Sequence, residues 1–265
     1  MSNFTEHILS FEHLDVARGR VQVIRDLSFS LGRGEILGLV GESGSGKTTT
    51  LRTAVGLLGA GGRITGGSLI FDGQDIAKMT PEAVSALRGA GMSYVFQDPN
   101  ASLDPLATIE SQFDECVNCH RALRREELTQ LEHSLLRSLG FDDPERVLRS
   151  YPHNLSGGMA QRVILAFALA CEPKVLLADE PTSALDVVSQ ADVIAQLKRI
   201  RDERGVSILI VSHNLTVMAE LADRIGVMKD GRLVELGPTK QVLHAPQNPY
   251  TKELIASVPR MVRRS

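Results

Sequence analysis

The chain has 265 residues, with 29 Lys and Arg against 32 Asp and Glu for a formal net charge of −3. That length carries one large domain or two small ones, and the near-neutral balance gives no bulk electrostatic reason to bind nucleic acid or an anionic membrane. At 43% hydrophobic and 23% charged the composition excludes general disorder, and with no Trp, 3 Tyr and 8 Phe it offers little for a ligand held mainly by ring stacking.

Taken in chain order, Ile8 to Val16 and Val21 to Leu31 are apolar-rich runs broken at Arg18-Gly19-Arg20, which predicts a hairpin-like pair. Glu35 to Val40 is short and nearly all apolar, as a strand buried on both faces reads. A Gly-rich loop leads into an expected helix over Thr48 to Leu58, ending at Gly59-Ala60-Gly61-Gly62. Ser68 to Phe71 is a second β patch turning at Asp72-Gly73, and Pro81 to Arg88 a helix capped by Thr80. Met92 to Phe96 is a further apolar strand. Ala107 to Arg149, rich in Leu, Glu and Arg, has the composition of a separate helical subdomain. Helices over Ser156 to Cys171, Val187 to Arg204 and Leu215 to Leu221 alternate with strands Val175 to Ala178 and Ser207 to Val211, so parallel βαβ units in a three-layer α/β domain are expected. From Gly231 the prolines at 238, 246, 249 and 259 punctuate two short strands and two short helices.

The longest apolar run, Val163 to Cys171, falls short of the roughly 18 residues a spanning helix needs. Met1 to Leu9 holds Glu6 and His7 and no apolar secretory segment. Three cysteines, an odd count, argue against a disulfide framework and fit a reducing compartment.

The strongest local motif is Gly41-Glu42-Ser43-Gly44-Ser45-Gly46-Lys47-Thr48, followed by Thr49, with an apolar strand before it and a helix after it. Its glycines let the backbone curl so that amides face phosphate oxygens; Lys47 should reach the β- and γ-phosphates and Thr48 a Mg²⁺ ion. Val175 to Ala178 ends in Asp179-Glu180: Asp179, at the end of a parallel strand, is placed to hold Mg²⁺ through water, and Glu180 to polarise an attacking water. Leu155-Ser156-Gly157-Gly158 offers a hydroxyl and backbone amides at a helix start, a second anion site that one nucleotide does not need. Gln97, after Tyr94-Val95-Phe96, is placed to contact Mg²⁺ or the water, and His213, after the strand ending at Val211, a γ-phosphate.

In this order and spacing the phosphate loop, Gln97, Leu155-Ser156-Gly157-Gly158, Asp179-Glu180, Ser183-Ala184-Leu185-Asp186 and His213 resemble the nucleotide-binding subunit of an ATP-binding cassette (ABC) transporter. The resemblance implies a P-loop NTPase three-layer core with an antiparallel β subdomain and an inserted helical subdomain. The ATPase domain would cover residues 1–230, with the helical subdomain at about 101–160 and a short extension at 231–265. It implies ATP and Mg²⁺ as cofactors, and a head-to-tail dimer in which Ser156, Gly157, Gly158 and Asp186 face nucleotide held by the other subunit's phosphate loop. Met159 in Ser-Gly-Gly-Met-Ala-Gln-Arg, Leu185-Asp186-Val187-Val188 and Asn248-Pro249-Tyr250-Thr251 resemble the oligopeptide, dipeptide and nickel importers. That group implies a second ATPase subunit, two transmembrane permeases and an extracytoplasmic solute-binding protein, with this chain peripheral to the cytoplasmic face of the inner membrane. A soluble cassette ATPase of a non-transport complex, such as one for phosphonate breakdown, is the alternative.

Two departures stand out. Where cassette ATPases usually place an aromatic ring against adenine, this sequence reads Val16-Ala17-Arg18-Gly19-Arg20, so Arg18 either stacks on the base by its guanidinium or is a solvated turn residue. No cysteine follows Cys171, so the iron–sulfur centre of many relatives is not expected, and Cys116 and Cys119 alone do not complete a metal site. Arg260, Arg263 and Arg264 read as solvated charge.

Overall fold

The computed structural model describes residues 7–183 and 185–257; Arg260, Arg263, Arg264 and Ala184 lie outside them. The chain divides into two units, the residues up to Ala77 together with those from Leu209, and Lys78–Ile208.

The first unit opens with β1 (His7–Arg18) and β2 (Val21–Gly32), antiparallel around Gly19, whose φ of 61° is the left-handed conformation a tight turn requires. Phe11 and Phe29 face each other in register, their rings stacked at 4.4 Å. All five residues of β3 (Ile36–Val40) are buried, as a strand covered on both faces requires. Helix α1 (Lys47–Ala54) ends four residues earlier than the sequence pattern predicts, because Gly56 takes φ 66° and the Leu57 amide donates back to Arg52, closing the helix. β4 (Gly62–Phe71) starts six residues earlier than predicted, since pairing with β1 brings Gly62 opposite Arg18 and Ile64 opposite Val16. With β5 (Gln74–Asp75) it completes an antiparallel sheet in the order β2-β1-β4-β5.

In the second unit α2 (Pro81–Ala86) starts at Thr80, whose hydroxyl accepts from the Ala83 amide, and β6 (Met92–Val95) follows. The helical region resolves into α3 (Ile109–Asn118), α4 (Arg125–Ser138) and α5 (Pro144–Leu148). Helix α6 (Gly157–Leu169) precedes β7 (Val175–Asp179), another strand buried throughout and parallel to β6. Helix α7 (Val187–Arg204) ends at Gly205, φ 66°. The buried strand β8 (Ser207–Val211) begins in this unit and ends in the first.

Back in the first unit come α8 (Leu215–Leu221), β9 (Arg224–Lys229), β10 (Arg232–Pro238), α9 (Thr239–His244) and α10 (Pro249–Ala256). The prolines predict two strands after Gly231; instead one precedes and one follows it, a hairpin turning on Asp230 and Gly231 at φ 48° and 80°. The neighbours of the larger sheet here run β10-β9-β3-β8, with β3 parallel to β9; in the second unit they run β8-β7-β6. Among the described residues no helix is long and apolar enough to cross a membrane.

Candidate active site

In the first unit, the run from Gly41 to Gly46 joins β3 to α1 as a loop with Gly41, Gly44 and Gly46 at φ 147°, 82° and 102°. Gly41 is required: a Cβ there would meet the Met228 carbonyl oxygen at 2.2 Å. Gly46 caps α1 in a left-handed conformation and, lacking a side chain, makes no side-chain cap hydrogen bond at this anion-attracting helix start. Lys47, only 6% exposed, donates through Nζ to the carbonyls of Gly41 and Glu42, both at 2.8 Å, and lies 3.5 Å from the Ser45 hydroxyl. A buried ammonium curled under a rim of exposed Glu42, Ser43 and Gly44 fits a polyphosphate. Thr48 and Thr49 are half-buried in the first turn of α1, where a Thr hydroxyl can serve a metal held by phosphates.

Arg18 lies beside this loop. Together with Val16, Ala17, Val23, Thr48 and Arg52 it lines a solvent-open cleft. The cleft has one aliphatic wall and two guanidinium groups, with no ring. His213 follows β8 as an exposed residue: the preceding Ser212 amide donates to Leu39, two residues before Gly41, and the Ser212 hydroxyl accepts from Asn214.

In the second unit, Asp179 ends β7 with only 2% exposure, and the Tyr94 hydroxyl donates to its Oδ2 at 2.8 Å. Glu180 leaves the strand at φ 48°, a left-handed conformation uncommon for a residue other than glycine, held by the Ser183 amide and hydroxyl on its carbonyl, both at 3.1 Å. Gln97, exposed beyond β6, donates from Nε2 to Glu180 Oε2 at 3.3 Å. The strands β6 and β7 thus bring Gln97 to Glu180 and Tyr94 to Asp179. Two adjacent carboxylates at a parallel strand end, one buried and one half-buried, can divide metal binding from water activation.

Ser156 caps α6, its hydroxyl accepting from Met159 at 3.3 Å, with Ser156 and Gly157 exposed. Gly158 is a glycine for packing, because a Cβ there would meet Ser189 Oγ at 2.9 Å. Asp186 caps α7, accepting from the Val188 and Ser189 amides at 3.0 Å and the Ser189 hydroxyl at 2.7 Å; the Ser189 bonds lead the effects that lower its pKa. Cys116, on α3, is pushed up to about 11, chiefly by burial, so it is a packed thiol rather than a reactive one. Sequence reasoning missed Tyr94, which is 85 residues from its partner.

The strand–glycine loop–helix unit with an acidic parallel strand end defines the class of phosphate-loop nucleoside triphosphatases. Comparison with known proteins narrows it. Residues 24–183 match the family described as ABC transporter, and residues 234–265 match the oligopeptide/dipeptide transporter, C-terminal region. The chain is 40% identical over 261 residues to a dipeptide transport ATP-binding protein, DppD, of Bacillus subtilis, covering 97% of this chain and 78% of that protein. It is 42% identical to the peptidoglycan transport ATP-binding protein YejF of Agrobacterium fabrum and 39% identical to the glutathione import ATP-binding protein GsiA of Escherichia coli strain K12, spanning 48% and 42% of their lengths. Among solved structures, cbiO1 of Clostridium perfringens, part of the ABC transporter complex cbiONQ, superposes with a TM-score of 0.78 at 25% identity, covering 96% of this chain and 97% of that one. The ATP-binding cassette MJ0796, solved as a dimer in a post-hydrolysis state with ADP and Pi, gives 0.76 at 26% identity, covering 87% and 98%. The chain belongs to the ABC transporter family and is an ATPase of the cassette type.

Proposed function

We propose that this chain is the ATP-hydrolysing subunit of an importer for peptides or closely related solutes. The observation that carries the chemistry is the hydrogen bond between Gln97 and Glu180, which fixes a half-buried carboxylate at the end of β7. In this reading the amides of Gly44 to Thr49 and the Lys47 ammonium bind the β- and γ-phosphates. Lys47 exchanges its two carbonyl partners for phosphate oxygens, a local movement of one side chain. Thr48, Asp179 and Gln97 would hold Mg²⁺, which when bound neutralises charge between the β- and γ-phosphates. Glu180 takes the proton of the attacking water, and His213 contacts the γ-phosphate. Arg18 stacks its guanidinium on the base, against the aliphatic wall of Val16, Ala17 and Val23.

A second ATPase subunit, pairing head to tail, would offer its own signature loop to this nucleotide and receive Ser156, Gly157, Gly158 and Asp186 in return. Val187 and Val188, 82% and 72% exposed beside Asp186, are apolar side chains suited to such a partner. Leu106, 87% exposed in the loop beyond Gln97, suits a contact with a permease. Two permeases and an extracytoplasmic solute-binding protein complete the assembly, with this chain peripheral to the cytoplasmic face of the membrane and residues 231–265 as its extension. The dipeptide, glutathione and peptidoglycan names of the relatives support a peptide class of solute.

The test is ATP turnover by the chain reconstituted in vesicles with its permeases and binding protein. Peptide-loaded binding protein should raise phosphate release several-fold over the unloaded protein. Equal rates across a peptide panel would count against the peptide assignment.

A further inference from the structure

The phosphate loop is not held by its own strand and helix alone. The Gly231 amide donates to the Ser45 carbonyl at 3.1 Å, and the Met228 carbonyl closes off the space beside Gly41. A third contact comes from the C-terminal helix: the Glu42 amide donates to the Tyr250 hydroxyl at 3.2 Å across 208 residues of sequence.

Tyr250 is built to stay there. It is only 7% exposed, and Lys229 Nζ stands 4.5 Å from its ring centroid. Its helix is pinned: the Asn248 side chain accepts from the Tyr250 amide at 2.9 Å and donates to the Val234 carbonyl at 3.3 Å. Glu235 of β10 accepts from the Gln247 and Asn248 amides at 2.8 and 3.1 Å. The contact also reaches the functional lysine, because the Glu42 carbonyl is one of the two that hold Lys47 Nζ.

We propose that Tyr250 is a positioning residue for nucleotide binding, fixing Glu42 so that the phosphate loop presents Lys47 and its amides in one conformation. The C-terminal segment thereby becomes part of the nucleotide site rather than an appendage to it. This rests on the reading of the loop as the ATP site. Burial raises the pKa of the Tyr250 hydroxyl and the Glu42 amide bond opposes that, while the nearby Glu42 carboxylate adds to the rise; the hydroxyl keeps its proton across the working range.

The experiment is Tyr250→Phe in the full chain, which removes the oxygen and keeps the ring, its burial and the Lys229 contact. Affinity is measured by titration with a fluorescent ATP analogue, stability by thermal melting, and turnover by phosphate release. Loss of one neutral hydrogen bond should weaken nucleotide binding about three- to ten-fold, raise KM more than it lowers kcat, and leave the melting temperature within a few degrees of wild type. Unchanged affinity, or an affinity loss matched by a general loss of stability, would overturn the proposal. Wild type and Lys47→Ala are run alongside. If wild type fails to bind the analogue, or Lys47→Ala binds as well as wild type, the ATP-site reading itself fails and takes this proposal with it.

Discussion

At Glu180 the backbone enters a left-handed conformation that only glycine adopts without cost, at a penalty on the order of 1 kcal/mol. The chain accepts it because the sharp exit from β7 keeps Asp179 in the sheet while turning Glu180 toward Gln97, so neighbouring carboxylates have separate surroundings. Arg18 is the contrasting case: the cleft beside Thr48 and Thr49 is lined by the guanidinium groups of Arg18 and Arg52, and we propose that Arg18 stacks on the base there. A cation over a base contributes on the order of 1 kcal/mol, so Arg18→Ala should weaken ATP binding about two- to twenty-fold, and Arg18→Tyr should restore it. Titration with a fluorescent analogue reads both, and an Arg18→Ala protein of wild-type affinity would show Arg18 to be a solvated turn residue. The positions of Lys47, Asp179, Glu180 and Gln97 were legible in the sequence because each follows directly from a strand end or glycine loop. Tyr94 and Tyr250 were not, since each acts through one hydroxyl on a residue 85 or 208 positions away, and nothing local marks it.

Helix α4 illustrates what periodicity reveals and conceals. Leu128, Glu132, Leu135 and Leu136 form its buried face, so a carboxyl sits where the pattern calls for an apolar side chain. Arg125 binds Asp114 of α3 at 2.6 Å and also binds Glu110, while both Glu132 oxygens and Asp114 Oδ1 are buried without another donor. A proton shared between Glu132 and Asp114 relieves the like-charge contact between the two carboxylates. Burial first, then Asp114, raises the Glu132 pKa to about 8, with Glu110 adding to the rise and Arg125 opposing it. The folded-state pKa exceeds the unfolded one, so this contribution is complete below about 4.5 and is lost as pH rises through about 8. Melting temperature should therefore fall between pH 5 and 9 by an amount that Glu132→Gln reduces, because Gln supplies the donor at every pH. A pH dependence identical in the two proteins would refute the shared proton. The helices and strands themselves were largely legible; α1 ended early at Gly56, and β4 was lengthened by pairing with β1, which no local pattern encodes.

For the whole molecule, the net charge is −3, and among the described residues no helix is long and apolar enough to cross a membrane. We propose that this chain hydrolyses ATP with Glu180 as the base. The most direct measurement is phosphate release by this chain and its Glu180→Gln variant, with ATP binding followed on the same samples. Glu180→Gln should bind ATP as tightly as wild type and hydrolyse it at least about a hundred-fold more slowly. A variant that releases phosphate at the wild-type rate would contradict the account.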